Sequence, residues 1–218
     1  MLSMNISILC TDRLHPVVER LNDWVKSMIV KQHIVSLVFD KSDLPGGDIL
    51  FLVSCGQMVG DNERAKYKST LVLHASDLPK RRGWSPHIWS ILDGENEITV
   101  SLLEATEPVD TGLIWLKTSF FLEGHELLDE INKKLFDAEI FLMTCAVDRA
   151  SDMNPSEQVG EPGNYMKKRT PADSEIDPEK TISEQFDLLR IVDSKRYPAF
   201  FYHRGCKYQL KIEKVESE

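Results

Sequence analysis

The first half of the chain alternates short apolar runs with a longer amphipathic one, and this alternation constrains the fold more than any other feature. Four short, mostly apolar runs occupy residues 5–10, 33–40, 48–55 and 69–74. Such runs are typical of strands that are buried on both faces of a sheet. Between the first two, residues 15–30 place apolar side chains at helical spacing: Val18, Leu21, Val25 and Met28, or Ile29 in place of Met28. Strands separated by helices predict a mainly parallel sheet.

The second half continues the pattern with two more strands and two more helices. The spacing predicts helices over residues 85–94 and 124–150 and strands over residues 97–105 and 113–122. Ser85 is the predicted cap of the first helix, and Pro86 takes the first-turn position that proline tolerates. The long helix is predicted to bury five side chains, namely Leu127, Ile131, Leu135, Ala138 and Leu142. The predicted fold class is α/β, a Rossmann-like, mainly parallel twisted sheet with helices on both faces.

A change in composition near Ser151 divides the chain. Residues 151–180 hold four of the ten prolines and little apolar periodicity, which predicts a linker or wrapping arm. Residues 181–218 are predicted to form a small C-terminal subdomain of one helix and a β-hairpin, with a capping box at Thr181 and Glu184. The predicted domain organisation is therefore a main domain over residues 1–150, the arm, and this appendix.

Charge and cysteine usage exclude several classes of function. The net charge of −9 disfavours a protein that binds nucleic acid through phosphate contacts. The four cysteines are far apart, so a disulfide framework is not expected. The five histidines other than His74 show no paired ligand spacing, so a metal site is not expected either. The chain has no apolar run long enough to span a membrane, and its N-terminus does not resemble a signal peptide. We expect a cytoplasmic protein; the acidic surface and the hairpin permit a homodimer without requiring one.

Two residues mark the place where chemistry is expected. In an open α/β sheet, ligands bind beyond the carboxyl ends of the strands. His74 falls at such an end, and Asp110 lies in the loop after the strand predicted over residues 97–105. A histidine and an aspartate at adjoining strand ends are suited to proton transfer or charge stabilisation. Phosphate-loop nucleotide chemistry is not supported, because the chain contains neither GxGxxG nor GxxxxGK[ST].

Several linked motifs, in order along the chain, resemble the formyltetrahydrofolate-dependent formyltransferases. These motifs are "LHASDLPKRRG" and "SILDGENEITVSLLEATEPVDTG", and the resemblance is strongest over residues 48–112. The family includes methionyl-tRNA formyltransferase, glycinamide ribonucleotide transformylase and the nucleotide-sugar N-formyltransferases. The tail after residue 164 resembles the segment that follows the catalytic domain in the sugar enzymes.

The resemblance implies roles for particular residues. His74 matches the catalytic histidine that steadies the oxyanion formed when an amine attacks the formyl carbon, and Asp110 matches the aspartate that pairs with it. The implied formyl donor is 10-formyltetrahydrofolate. Its expected contacts are Cys55, Gly56, Gln57, Met58, Leu103, Glu104 and Asp110. The expected contacts of the second substrate are Ser76, Lys80, Arg81, Arg82 and Trp84, where the basic side chains suit phosphate and the indole suits stacking on a sugar or base.

One position departs from the family pattern. The family has an asparagine two residues before the histidine, and this chain has Val72 there. Residues two apart on a strand face the same side, so Val72 and His74 should both face the cleft. Valine has no hydrogen-bond donor, and loss of one oxyanion donor costs roughly a hundred- to thousand-fold in rate. Three outcomes are open: Gln57 or Ser76 replaces the donor, a protonated His74 suffices, or the site is weakened.

The predicted reaction is formyl transfer to the amine of a nucleotide-linked sugar. Within the family, "LHASDLPKRRGWSPH" most resembles enzymes acting on UDP-linked 4-amino-4,6-dideoxy sugars for bacterial surface glycans, including a formylated pseudaminic acid route. The alternatives are a methionyl-tRNA formyltransferase, a formyltetrahydrofolate hydrolase, and a catalytically silent binding module for folate or sugar nucleotide. The acidic net charge and the short C-terminal part argue against the tRNA enzyme.

Overall fold

The structure is a computed structural model that describes residues 3–215. It is built around a six-stranded sheet with strand order β2-β1-β3-β4-β5-β6. The strands are β1 (Asn5–Leu9), β2 (Ile34–Val38), β3 (Gly47–Leu52), β4 (Tyr67–His74), β5 (Glu97–Glu104) and β6 (Ile114–Phe121). The pairs among β1 to β4 are parallel, whereas β5 is antiparallel to both β4 and β6. This arrangement confirms the predicted α/β class.

Within residues 3–215, four helices accompany the sheet; three were predicted from the sequence, and the short one between β3 and β4 was not. They are α1 (Val17–Val30), α2 (Asp61–Arg64), α3 (Pro86–Leu92) and α4 (Leu128–Asp148). In α1 the buried residues are Val17, Leu21, Trp24 and Met28, so Trp24 replaces the expected Val25 at the centre of the buried face. The Trp24 indole meets the Phe51 ring edge-on and donates from Nε1 to Thr144 of α4 at 2.9 Å. The larger side chain therefore sets the rotation of the helix.

The two faces of the sheet are covered differently. One face packs against α1 and α4 in the main core, to which the strands contribute alternate residues such as Ile8, Phe51 and Leu71. The intervening residues point to the other face, where Leu50 and Leu52 pack against Leu44 and Val59 from loops. Short segments rather than long helices cover this second face, and it is here that Val72 and His74 point.

The C-terminal segments return to the main sheet. Backbone hydrogen bonds join Ser156 to Ile114 and Met166 to Arg82, so residues 156–166 run along the loops that flank His74. The predicted helix in the tail is shorter than expected: a 3-10 turn at Ser183–Gln185 leads into α5 (Phe186–Arg190). The predicted hairpin is present as β7 (Ala199–His203) and β8 (Cys206–Leu210). Arg196 ties the tail to the start of the chain through Asp12. The three-part domain division stays a prediction.

Among residues 3–215, no helix is long and apolar enough to cross a membrane. All four cysteines are free, and only Cys10 is fully buried.

Candidate active site

His74 and Asp110 face each other at the end of β4. The His74 ring is almost fully buried, and its Nδ1 lies 3.6 Å from Oδ1 of Asp110. The other ring nitrogen, Nε2, lies 3.0 Å from the main-chain oxygen of Arg81. Because a carbonyl oxygen can only accept, Nε2 must carry a proton. Nδ1 is therefore the nitrogen that can exchange a proton or a hydrogen bond with Asp110 or with a bound group.

The route by which Asp110 reaches His74 differs from the prediction. β5 runs antiparallel to β4, and its last residue, Glu104, pairs with Leu71 rather than with His74. The loop after β5 must therefore return along the sheet to bring Asp110 to His74. There, Oδ2 of Asp110 accepts from the main-chain nitrogen of Gly83 at 2.9 Å. The expected closeness of the two residues is observed, and their catalytic roles stay predictions.

Left-handed backbone is concentrated around this pair. Six non-glycine residues in the described part of the chain have positive φ, and four of them lie in the loops at the carboxyl edge: Ser54 (47°), Arg81 (52°), Ser85 (45°) and Asp110 (60°). Such conformations are costly for residues with a Cβ and persist where the surrounding structure over-determines them, often at functional sites. Ser85 occupies the predicted N-cap position of α3, but its side chain makes no capping hydrogen bond.

Val72 lies in an apolar wall beside His74. It is half-buried and packs against Leu78, Leu103 and Ile114 on one side and against the Leu50–Leu52 cluster on the other. The two predicted replacements for the missing donor are engaged elsewhere. The Gln57 amide nitrogen donates to Asp40 at 2.8 Å, and the Ser76 hydroxyl donates to the Lys80 carbonyl at 2.8 Å. These hydrogen bonds argue against the first of the three outcomes left open by the sequence and leave the other two open.

The segments expected to bind folate meet over one apolar floor. Cys55 and Ala105, from the two segments, both pack against the cluster that contains Leu50 and Leu52. Gly56 and Met58 are exposed beside Cys55, whereas Leu103 is fully buried beneath the neighbouring loop. Glu104 accepts from the Trp115 indole at 3.1 Å. An apolar floor with main-chain edges on both sides suits a flat heterocycle. The exposed residues Gly56 and Met58 therefore fit contacts to a pterin, whereas the Leu103 side chain is buried and the Glu104 carboxylate is paired with Trp115.

The basic loop, residues 80–82, contains one side chain that is fully paired with carboxylates and others that are not. Arg81 is held by two carboxylates, Asp93 at 2.6 Å and Glu95 at 2.5 Å, so its guanidinium is already paired. Lys80 is exposed and lies 3.6 Å from Asp77. In contrast, Nε of Arg82 is buried and has no hydrogen-bond partner within residues 3–215. Arg82 is consequently the stronger phosphate-binding candidate, and Arg81 supports the loop.

Trp84 stands at the opening of the cleft. A Cβ added at Gly56 would lie 3.9 Å from the tip of its indole, so the ring reaches toward the segment after β3. Lys168 Nζ lies 4.7 Å from the centre of the ring, on the arm. An aromatic face beside an ammonium group suits a base or sugar that carries phosphate.

Sequence reasoning missed two buried polar groups, one beside His74 and one in α4 on the other face of the sheet. Glu139 of α4 is fully buried, its Oε2 has no partner among the described residues, and burial raises its pKa to about 8. His87 Nδ1 is likewise buried without a described partner. Burial, together with the neighbouring His74 and His15, lowers the pKa of His87 to about 4. Spacing could have revealed Glu139, because it lies four residues after Leu135 on the predicted apolar face.

The site is recognised by its chemistry rather than by cavity size. A groove of about 500 Å³ lies between α1 and α4, and one of about 440 Å³ lies between β6 and the arm. Neither is lined by His74 or Asp110. No cluster of three or more metal-ligating side chains occurs within residues 3–215.

An open α/β sheet with a buried histidine–aspartate pair at one edge is an arrangement suited to acid–base chemistry. The sequence model of the family described as formyl transferase matches residues 31–147 of this chain. The chain belongs to the formyl transferase family, which confirms the resemblance seen in its motifs.

Curated relatives match part of the chain. Over 148 residues it is 30% identical to the bifunctional polymyxin resistance protein ArnA of Wigglesworthia glossinidia brevipalpis, covering 67% of this chain and 23% of that protein. Over 112 residues it is 31% identical to the methionyl-tRNA formyltransferase of Finegoldia magna, covering 51% and 36% respectively. The chain thus spans less than half the length of these relatives.

Solved structures show the same fold over nearly the whole chain. Methionyl-tRNA formyltransferase from Clostridium thermocellum superposes with a TM-score of 0.82 at 20% identity, covering 98% of this chain and 94% of that one. HypX from Aquifex aeolicus, in complex with tetrahydrofolic acid, gives 0.81 at 20% identity and covers 97% and 38%. A 4-N formyltransferase from Francisella tularensis gives 0.73 at 18% identity and covers 97% and 99%.

Proposed function

We propose that this protein transfers a formyl group from 10-formyltetrahydrofolate to the amine of a nucleotide-linked amino sugar, a UDP-linked 4-amino-4,6-dideoxy sugar of bacterial surface glycan or pseudaminic acid synthesis. The observation that carries the proposal is the His74–Asp110 pair, with Nδ1 and Oδ1 3.6 Å apart beside an apolar slot. Membership of the formyl transferase family supports the reaction type. The reaction would take place in the cytoplasm, where the unpaired cysteines remain reduced.

His74 is the proposed electrostatic catalyst. Its Nε2 proton is committed to the Arg81 carbonyl, so a protonated ring presents its second N–H, on Nδ1, toward the reacting atoms. This N–H can stabilise negative charge as it develops on the formyl oxygen. With valine at position 72, no neighbouring amide shares this task at that position, and the contribution of His74 is correspondingly larger.

Asp110 is the proposed proton acceptor. Its carboxylate lies against Nδ1 of His74 and is oriented by the Gly83 N–H. In this position it stabilises a protonated His74 and can accept the proton that the attacking amine loses when the new C–N bond forms. The bond between the formyl carbon and the folate nitrogen would break, and tetrahydrofolate would leave with that proton. The folate supplies an activated formyl group when it is bound. The segments at residues 54–58 and 103–110 are proposed to hold its pterin by main-chain edges over the Leu50–Leu52 floor.

The acceptor is proposed to bind between the basic loop and the arm. Arg82 brings an unpaired guanidinium nitrogen, and Trp84 with Lys168 brings an aromatic face and a charge. This set fits the diphosphate and base of a sugar nucleotide. The net charge of −9 argues against a long polyanionic acceptor. We propose no metal, and a homodimer is compatible with the fold.

Single-turnover formylation tests the proposal. The parent protein, His74→Ala, Asp110→Asn and Val72→Ala would each be mixed with formyl donor and a UDP-linked 4-amino sugar. We expect His74→Ala to abolish transfer and Asp110→Asn to slow it roughly a thousand-fold, because each removes a group that acts on the reacting atoms. Val72→Ala should change the rate less than about threefold, because valine supplies volume and no hydrogen bond. Transfer that survives His74→Ala undiminished refutes the mechanism.

The alternatives give different results in the same assay. A methionyl-tRNA formyltransferase would formylate aminoacylated tRNA and ignore the sugar. A hydrolase would release formate without either acceptor. A silent binding module would give no transfer with any amine, and its folate binding would be indifferent to all three substitutions.

A further inference from the structure

Gln158 connects the arm to the loop that carries Asp110. Its amide nitrogen donates to the main-chain oxygens of Asp110 and Gly112, at 2.9 Å and 3.0 Å. These residues lie 48 and 46 positions earlier in the sequence. A side-chain amide nitrogen carries two hydrogens, so the two hydrogen bonds use its full donor capacity. The flanking residues Glu157 and Val159 are exposed, whereas Gln158 is half-buried.

The two carbonyls belong to the turn that orients Asp110. Asp110 is held at φ 60°, a conformation that residues with a Cβ seldom adopt. Gly112 lies so close to β5 that an added Cβ would be 2.0 Å from the Glu104 oxygen. The carboxyl group of Asp110 is fixed by the Gly83 N–H, and its main chain is fixed by Gln158. The direction of the carboxylate toward His74 therefore depends on both contacts.

The arm does not depend on Gln158 for its own attachment. Ser156 and Ile114 exchange two backbone hydrogen bonds, at 2.8 and 2.9 Å. Farther along, Met166 donates to Arg82 at 2.6 Å and accepts from Trp84 at 3.0 Å. Removal of the Gln158 amide should consequently leave the arm in place and free only the Asp110 turn.

We propose that Gln158 is a positioning residue that holds the Asp110 carboxylate in register with Nδ1 of His74. The proposal rests on the proposed formyl transfer and identifies a contribution to it from outside the segment that matches the family. Gln158 touches neither the reacting atoms nor His74. It acts through the backbone of Asp110, so its loss should change the pair and leave substrate binding intact.

Two substitutions of similar size test this role. Gln158→Met keeps the length of the side chain and removes both hydrogen bonds. Gln158→Glu places a carboxylate against two carbonyl oxygens. Because misplacing a catalytic group by about 1 Å can cost a hundred-fold, we expect the single-turnover rate to fall roughly tenfold for Met and a hundred-fold for Glu. KM for both substrates should stay within about twofold. The neighbouring Glu157→Gln is the matched control and should behave as the parent.

A spectroscopic measurement keeps the test independent of the reaction. The ¹⁵N signals of the His74 ring, assigned by their loss in His74→Asn, should shift in both Gln158 variants and not in Glu157→Gln. If the parent transfers no formyl group, this signal still reports whether Gln158 controls the pair. Parent-like signals and rates in Gln158→Met overturn the proposal, as does a rise in KM that accounts for the whole loss. If Gln158→Glu fails to fold, Gln158→Met alone decides.

Discussion

At the scale of single residues, the candidate site combines groups that the sequence reveals with groups that it hides. His74 and Asp110 stand in recognisable motifs, and the structure brings them to 3.6 Å. Arg81 was expected to bind substrate with its neighbours, yet its guanidinium is paired with Asp93 and Glu95. Local sequence cannot distinguish these cases, because the partners of Arg81 lie 12 and 14 residues away on another element.

Glu139 gives a prediction about the pH dependence of stability. Its folded pKa of about 8 lies above the value of about 4.5 expected when unfolded, so the folded state binds the proton more tightly. Stability should therefore fall as pH rises from about 4.5 to about 8, by a few kcal/mol at most. Glu139→Gln should remove this decline. The measurement is urea unfolding at about pH 5 and about pH 8, with exposed Glu157→Gln as control. If the free energy of unfolding changes equally with pH in the parent and in Glu139→Gln, Glu139 is not the group responsible for the decline.

At the scale of elements, the strands were predictable and their directions were not. The short apolar runs gave β1 to β4 because burial on both faces leaves a continuous signal. The sequence of β5 is compatible with a parallel or an antiparallel strand, because the alternation of side chains across a strand does not depend on the strand's direction. The rotation of α1 depended on Trp24, whose indole finds Thr144 on α4, 120 residues away. The packing of the arm could not be predicted either, because backbone hydrogen bonds make much of its attachment and its side-chain contacts, such as Gln158 and Lys168, join residues far apart in the sequence.

Two glycines offer a matched test of the contact between the arm and the His74 loop. Gly83 (φ +103°) and Gly94 (φ +81°) are both left-handed. A Cβ on Gly83 would lie 2.4 Å from the Met166 oxygen, whereas a Cβ on Gly94 would meet nothing within 4 Å. We expect Gly94→Ala to cost about 1 kcal/mol from backbone strain alone. Gly83→Ala should cost more and also slow formyl transfer, because the Gly83 N–H orients Asp110. Unfolding midpoints and single-turnover rates of the two variants provide the comparison; equal effects would argue against a tight contact.

At the scale of the whole molecule, opposing groups set the pH of greatest stability. Burial raises the pKa of Glu126, but the Lys134 ion pair and main-chain N–H donors outweigh it and hold the value at about 2. Stability from this carboxylate is present above about pH 4.5 and is lost as pH falls toward 2. The folded pKa of His87 is about 4, so the stability that the neutral ring contributes to the protein is also lost as pH falls from about 6.5 toward 4. Glu139 has the opposite effect, because its contribution to stability is lost as pH rises toward about 8.

The combined prediction is greatest stability between about pH 4.5 and about pH 6.5, where the opposing contributions of His87 and Glu139 nearly cancel, with a decline on either side. Thermal unfolding from about pH 3 to about pH 9 measures it. Glu126→Gln should flatten only the acidic limb, and Glu139→Gln only the alkaline limb. An alkaline decline that is unchanged in Glu139→Gln would show that other groups dominate above neutrality.

The contact between Gln158 and Asp110 also has a consequence for the order of events on the ribosome. His74 and Asp110 are synthesised first, and Gln158 follows 48 residues after Asp110. At a translation rate of about 5–20 residues per second, a few seconds pass between them. During that interval the nascent sheet can form while the Asp110 turn still lacks the two hydrogen bonds from Gln158. Catalytic competence should therefore be completed later than the sheet that supports it, and stalled chains ending before residue 158 should transfer formyl groups more slowly than the full chain.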